Sequence, residues 1–290
     1  MSYTLIVEQL LNGVQFGVML FLMSAGLTLV FGIMNLINLA HGSLYMAGAY
    51  IAASLISATG SFLLSVLIAV AVTSALGMVM EIAILRPFYA RTHLDQVLVT
   101  FGLILVLNEI TRLIWGPVPV PMPLPAYLAG SVELFEGVRY PIFRLAILLV
   151  GAVVAVGLYL VVAHTRAGMW VRAGAANRPM ASALGVDVQF VFLMVFAVGA
   201  ALAGLAGIMA GPIFAVQVGM GEQILILAFV VTVIGGIGSI RGAFLAALLI
   251  GIVDTFGRVL LPPALGSMVI FILMAVILAW RPNGLFPLQS

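Results

Sequence analysis

Apolar residues dominate this chain in long runs, separated by short breaks that carry polar residues, glycine or proline. Most runs approach the roughly 20 apolar residues that a helix needs to cross a lipid bilayer. Residues 43–57 form a shorter apolar piece, and the pattern leaves open whether this piece crosses or re-enters. The eight clear runs cover residues 10–34, 61–85, 96–114, 143–163, 190–210, 224–234, 243–260 and 265–280. The pattern predicts an all-α polytopic membrane protein of about 8–10 transmembrane helices, some of them broken or re-entrant.

Composition agrees with that fold class. Hydrophobic residues make up 64% of the chain and charged residues 7%, with a mean hydropathy of +1.33. No polar block is large enough to fold separately, so we expect one transmembrane domain over residues 1–290. All 11 basic residues are arginine, and their spread indicates orientation in a lipid membrane rather than nucleic-acid binding. The chain has no cysteine, which excludes a disulfide framework and a thiolate nucleophile.

The loop arginines predict the orientation of the chain. Loops facing the cytoplasm are enriched in Arg and Lys, which assigns Arg86, Arg91, Arg281 and the arginines of residues 164–189 to that side. This assignment is consistent only if residues 43–57 also cross the bilayer. The N-terminus is then expected outside and the C-terminus inside.

Two apolar runs are interrupted by similar breaks, one at residues 35–42 and one at residues 235–242. Transporters often build their path from paired broken helices, because freed backbone groups can bind a substrate where a helix stops. The alternative is two independent turns, and the sequence leaves both open. The glycines of the second break do not have dinucleotide-binding spacing. The candidate path residues are Asn35, Asn38, His41, Gly42, Gly235, Gly236, Gly238 and Ser239.

Residues 164–189 form the most polar segment and contain three arginines between two apolar runs. Pro179 suits the first turn of a helix and Gly185 suits a left-handed terminator, so a short helix is predicted over residues 179–184. Small residues recur at every fourth position, at Ala173, Asn177, Ala181 and Gly185, and would let another surface approach closely where the chain is helical. An ordinary cytoplasmic loop is the alternative.

This segment resembles the coupling loop of bacterial ABC importer permeases. Ala181 and Gly185 fall on the second Ala and the Gly of the EAA-x3-G pattern, whereas Pro179 and Met180 depart from its first two positions. The resemblance implies that the segment docks on an ATPase. The implied docking residues are Arg166, Gly168, Arg172, Ala173, Asn177, Ala181, Leu184 and Gly185.

The stretch NLINLAHGSLYMAGAY, residues 35–50, is similar to an element of the H-type permease of branched-chain amino acid importers. Membership would imply the ABC importer permease fold, a bacterial inner-membrane location and a branched-chain amino acid as substrate. It would also imply a second homologous permease in a heterodimer, two cytoplasmic ATPases and a periplasmic binding protein. Related branches carry urea, short amides or aromatic acids, and the motifs do not separate these substrates.

No catalytic or cofactor motif accompanies these features. A phosphate-binding loop of the P-loop type needs a lysine, and the chain has none. The chain is therefore predicted to be a transport subunit and not an enzyme, with ATP and Mg²⁺ held by the partner ATPases. An ATP-independent channel or secondary transporter and a structural scaffold are the rival classes. The channel would more naturally show unpaired acids at mid-membrane.

Several further features are predicted to be structural. Alternating prolines from 117 to 125, within an external loop over residues 116–141, exclude helix. Small residues from Gly199 to Gly211 predict a helix-packing face. Glu109 with Arg112 and Asp254 with Arg258 are expected to pair within their helices, and Glu81 is expected at the membrane interface.

Overall fold

The computed structural model describes residues 3–135 and 137–286. That part of the chain is a bundle of α-helices with one antiparallel β-hairpin between the fourth and fifth helices. The helices are α1 Tyr3–Met34, α2 His41–Thr59, α3 Phe62–Met80, α4 His93–Trp115, α5 Ile142–His164, α6 Arg166–Ala176, α7 Arg178–Ala183, α8 Val188–Ala210, α9 Met220–Gly235, α10 Ile240–Leu260 and α11 Pro263–Trp280. The hairpin strands are β1 Ser131–Phe135 and β2 Val138–Pro141.

Seven stretches of the described chain are long and apolar enough to span a membrane, which confirms the all-α polytopic class. They are α1, α4, α5, α8, α10, α11 and α3 with its continuation to Phe88. The remaining predicted run, residues 224–234, lies in α9, which has only 16 residues and is not among these seven. At 1.5 Å per residue, α9 is about 24 Å long, shorter than the roughly 30 Å hydrocarbon core.

The uncertain apolar piece, residues 43–57, belongs to α2, which has 19 residues. Just before α2, the Ile37 N–H donates to Gln96 Oε1, near the start of α4, at 3.2 Å. Near the end of α2, Ser54 Oγ accepts from Trp115 Nε1, at the end of α4, at 2.6 Å. The two helices therefore run side by side in the same direction. It follows that α2 passes through the bundle and does not return to its starting side.

Close contacts between small residues hold the central helices together. A Cβ atom added at Gly207 in α8 would lie 1.9 Å from the Tyr45 carbonyl oxygen in α2. A Cβ atom added at Gly17 in α1 would lie 2.7 Å from the Ala247 carbonyl oxygen in α10. A helix that already lies in lipid gains little from the hydrophobic effect when it moves against another helix, because its apolar surface is already out of water. Helices in lipid therefore associate through such close packing. The predicted small-residue packing face of α8 is confirmed.

The proline-rich stretch contains no helix, as predicted. Val120 forms a short antiparallel bridge with Val216, and their two backbone hydrogen bonds measure 2.8 and 3.2 Å. These bonds tie the stretch to the connection between α8 and α9. The β-hairpin follows the stretch and leads directly into α5.

Glu81 lies in a π-helical turn, Glu81–Leu85, which continues α3. Its side chain is fully buried and forms an ion pair of 2.9 Å with Arg86. The Tyr89 hydroxyl also donates to Glu81. Burial, and then this hydrogen bond, raise the pKa of Tyr89 above its usual value. Two side chains therefore cover the Glu81 carboxylate within the chain, and its place at the membrane interface stays a prediction.

Candidate functional site

The polar segment between α5 and α8 folds as two short helices, α6 and α7. Thr165 Oγ1 accepts from the Gly168 N–H at 3.2 Å and starts α6. Asn177 Oδ1 accepts from the Met180 N–H at 3.0 Å and starts α7. Gly185 follows α7 with a φ of 86°, in the left-handed region that glycine adopts without strain. The predicted short helix and its glycine terminator are confirmed, with the helix one residue earlier.

Two arginines fix this coupling segment, residues 164–189, to the rest of the bundle. Arg172 donates to the Val162 carbonyl at the end of α5. Arg178 donates to the Met34 carbonyl at the end of α1, and its guanidinium lies 4.7 Å from the centre of the Phe192 ring in α8. These contacts place α7 directly beneath the break that follows α1. A displacement of α7 would therefore pull on that break.

The predicted docking residues do not share one exposed surface. Arg166, Arg172, Ala173, Asn177, Leu184 and Gly185 are exposed. Gly168 is buried, and a Cβ atom there would lie 2.2 Å from the Val162 carbonyl oxygen. The Ala181 side chain is also buried, so the expectation that it lies on an open face is wrong. Asn177 ends α6 and starts α7, and the four-residue spacing therefore does not continue along one helix.

The exposed apolar side chains of the coupling segment were missed by the sequence analysis. Met169, Met180 and Leu184 expose 53%, 58% and 77% of their surface. Their neighbours Arg166, Arg172 and Arg178 belong outside the hydrocarbon core, where large apolar side chains face water unless another protein covers them.

The last turn of α1, just before the first break, lies against the second break. A Cβ atom at Gly32 in α1 would lie 2.2 Å from the Gly238 Cα atom. Gly236 and Gly238 have positive φ values of 99° and 82°, and Ser239 Oγ accepts from the Gly242 N–H to start α10. Gly235 packs against Gly242. Residues 235–239 thus have clear structural roles as a tight turn and a helix cap.

The polar residues of the first break lie at two depths. Asn35 is exposed and has a positive φ of 51°, whereas Asn38 and His41 are fully buried. Within the described chain the Asn38 amide and the His41 ring have no hydrogen-bond partner of good geometry, and the His41 ring packs beside Gly26 of α1. Gly42 is buried against Gly221 at the start of α9. A role in translocation remains a prediction for all of these residues.

A cavity of about 750 Å³ connects the first break with the coupling segment. Asn35 and Gln96 lie on its wall beside the break, and Asn177 and Arg178 belong to the coupling segment. Arg91 and His93 also line it. The cavity therefore joins α1, α4 and the α6–α7 junction at one end of the molecule.

A second cavity, of about 540 Å³, lies at the opposite end. Asn12 and Gln15 line it from the first half of α1, while Asp254 and Arg258 line it from the last third of α10. Arg144, in the first turn of α5, completes its charged groups and donates to Asn12. Asn12 and Gln15 interrupt an apolar run, and this was the overlooked sequence signal.

The charged pairs expected within the spans have different outcomes. Asp254 and Arg258 form the expected ion pair, with Arg258 Nε 2.8 Å from Asp254 Oδ2. Glu109 and Arg112 form no ion pair within the described chain, and both are exposed on α4. The expectation of pairing is wrong for them because each side chain points away from the bundle. Asn108 instead donates to Glu222 Oε1 at 2.6 Å.

The helix lengths, the paired breaks and the capped coupling segment define a multi-pass membrane transport protein. The family model for the permease component of branched-chain amino acid transport systems matches residues 9–278. The chain belongs to this family. As a permease component it works with other subunits of a transport system, and it is a transport protein and not an enzyme.

Individual relatives agree with the family assignment. The permease protein BraD of the high-affinity branched-chain amino acid transport system of Pseudomonas aeruginosa is 33% identical, over 96% of this chain and 94% of its own length. The LivH permease protein of Escherichia coli K12 is 30% identical over the same shares. The ribose import permease protein RbsC of Escherichia coli K12 is 26% identical over 80% of this chain and 72% of its own length. No solved structure matches.

Proposed function

We propose that this chain is an inner-membrane permease subunit of an ATP-driven importer for branched-chain amino acids. On this proposal it forms one transmembrane domain and pairs with a second, homologous permease. Two cytoplasmic ATPases hold ATP and Mg²⁺, and a periplasmic binding protein delivers the substrate. The BraD and LivH relatives, which are permease proteins of high-affinity branched-chain amino acid transport systems, support this substrate class.

One structural observation carries the ATPase part of the proposal. The coupling segment combines exposed Met169, Met180 and Leu184 with three arginines at one end of the bundle. A lipid-facing surface would not carry these charges, and a water-facing surface would not carry this apolar area. A protein partner with an apolar groove and acidic rim satisfies both requirements. We assign this groove to the ATPase.

The coupling segment also has a route to the translocation path. Arg178 links α7 to the end of α1, immediately before Asn35. ATPase movement would therefore shift the first break, because the break directly follows the last turn of α1, where Gly32 packs on Gly238 of the second break. We propose that Asn35, Asn38 and His41, together with the residues of the second break, open toward the substrate during this movement.

The proposal is tested with the complete transporter in proteoliposomes. Uptake of labelled L-leucine is measured with and without ATP, and urea, acetamide and phenylalanine are offered as competing substrates. We expect ATP-dependent uptake that valine and isoleucine inhibit. Uptake that persists without the ATPases would favour the channel alternative, and competition by urea or acetamide would place the chain in another branch.

Docking is tested by Met180→Glu, since a carboxylate would disrupt the apolar contact. Tyr127→Glu is the matched control because Tyr127, in the loop of residues 116–141, is 64% exposed, close to the 58% of Met180. We expect Met180→Glu to abolish substrate-stimulated ATP hydrolysis and uptake together, and Tyr127→Glu to retain both. Normal stimulation in Met180→Glu would contradict docking at this surface.

A further inference from the structure

The cavity of about 540 Å³ at the end away from the coupling segment carries more polar chemistry than helix packing requires. Arg144, Asp254 and Arg258 all contribute to its wall. Charged side chains within membrane spans are costly unless they are paired or face water. The Asp254–Arg258 pair satisfies part of this requirement, and the remaining polar capacity points to a ligand.

Asp254 is the central observation. The residue is 3% exposed, and its Oδ2 atom accepts from Arg258 Nε at 2.8 Å. Its Oδ1 atom is buried and has no hydrogen-bond partner among the described residues. A buried carboxylate oxygen without a donor carries an uncompensated desolvation penalty. A ligand N–H group in the cavity would remove this penalty, and a cationic ammonium group would do so best.

The cations of the cavity offer the complementary contact. Arg144 uses one nitrogen on Asn12, and Arg258 uses Nε on Asp254. A guanidinium has five N–H donors, so both arginines retain donors for a carboxylate. The Arg258 side chain is 61% exposed, which leaves it accessible from the open mouth of the cavity. Phe16, Ile224 and Leu227 supply apolar wall.

We infer that this cavity binds the zwitterionic end of an α-amino acid. Asp254 Oδ1 accepts from the α-ammonium group, Arg144 and Arg258 bind the α-carboxylate, and the side chain lies against Phe16, Ile224 and Leu227. The inference rests on the proposed importer function and adds a site on the outer half of this permease. It differs from the second break and from Asn35 of the first break, which lie at the other end of the bundle.

The first test is ligand protection of a single cysteine, which is possible because the chain has none. Gln223→Cys places a thiol on the cavity wall at an exposed position. In the complete transporter, millimolar L-leucine should slow labelling by a membrane-impermeant thiol reagent. Tyr127→Cys, outside the cavity, is the control and should label at the same rate with and without leucine.

The probes separate the two ends of the ligand. We expect protection by L-leucine but not by 4-methylpentanoate, which lacks the ammonium group, or by isoamylamine, which lacks the carboxylate. Equal protection by 4-methylpentanoate would overturn the assignment of Asp254 Oδ1 to an ammonium. No protection by any α-amino acid would overturn the site.

The second test uses uptake kinetics. Arg144→Gln and Asp254→Asn should each raise the KM for leucine by about tenfold or more, corresponding to one lost charge-assisted hydrogen bond. Asp254→Asn should also reduce the discrimination between leucine and 4-methylpentanoate as competitors, which a purely structural role would not change. Arg139→Gln, on the exposed hairpin strand β2, is the control and should keep the wild-type KM.

The outcomes distinguish this inference from the proposed function. If the wild-type transporter fails to take up leucine, the proposed function fails, and the protection assay still tests the cavity. If the wild type takes up leucine and both cavity variants keep its KM, the inference is wrong and the importer proposal stands. If Asp254→Asn does not assemble, Arg144→Gln and the protection assay decide the question.

Discussion

The central helices α1 and α8 and the outer helices α5 and α11 are equally apolar but have opposite environments. The most apolar windows of α1 and α8 are 83% and 72% buried within the chain, whereas those of α5 and α11 are each 11% buried. Their hydropathies do not follow burial, since α5 has the highest value, 2.9, and α1 has 2.2. Hydropathy therefore identifies the spans and gives no indication of their position in the bundle.

The difference lies in the small residues. Gly17 and Gly207, in the central helices, approach the backbones of α10 and α2 too closely for any Cβ atom. Gly157 in α5 has nothing within 4 Å of an added Cβ atom. Lipid solvates large apolar side chains as well as a protein core does, so packing geometry and not polarity places a helix at the centre.

The largest expected effect comes from a side chain added at the central contact. Gly207→Val would force the Tyr45 carbonyl and α2 away from α8, and we expect destabilisation by about 3 kcal/mol or more, at the upper end for overpacking. Gly157→Val in α5 is the matched control and should retain a near-normal melting temperature. Thermal unfolding in detergent measures both. Equal melting temperatures would show that the α2–α8 contact does not hold the bundle.

How much the sequence could predict follows from the same distinction. The spans, the proline-rich stretch and the short helix α7 with its Gly185 terminator were predictable because each depends on local composition or local backbone conformation. The burial of Ala181 was not, since it depends on how α7 packs against its neighbours. The second cavity, of about 540 Å³, could not be predicted either, because Arg144 and Asp254 lie on helices far apart in sequence.

A smaller effect is expected when a large side chain is removed. Phe21 in α1 is fully buried, with its ring centre 5.1 Å from that of Phe244 in an edge-to-face contact. Phe271 in α11 is 42% exposed. Phe21→Ala should cost about 3 kcal/mol, at the low end for this change, because the reference environment is lipid-like and not aqueous.

Phe271→Ala is the matched control and should change stability by less than about 0.5 kcal/mol. Unfolding in a denaturing detergent titration measures both variants. A large loss in Phe271→Ala would indicate that another subunit covers α11 and that the surface of the single chain does not represent the assembled transporter.

The smallest effect on stability is expected at Leu184, where exposure has a different cause. Leu184 is 77% exposed and Leu63, on α3, is 66% exposed. Leu63 lies on a membrane span, where lipid accounts for its exposure, whereas Leu184 follows α7 beside the arginines of the coupling segment. Truncating either residue to alanine should leave the melting temperature unchanged, because neither side chain packs within the chain.

Only Leu184→Ala should weaken ATPase docking, by about 1–2 kcal/mol or roughly tenfold, since it removes apolar area from the contact. Titration of the purified ATPase against each permease variant in nanodiscs gives the two affinities. If Leu63→Ala and Leu184→Ala bind the ATPase as tightly as the wild type, the exposed apolar surface of the coupling segment is not the docking surface.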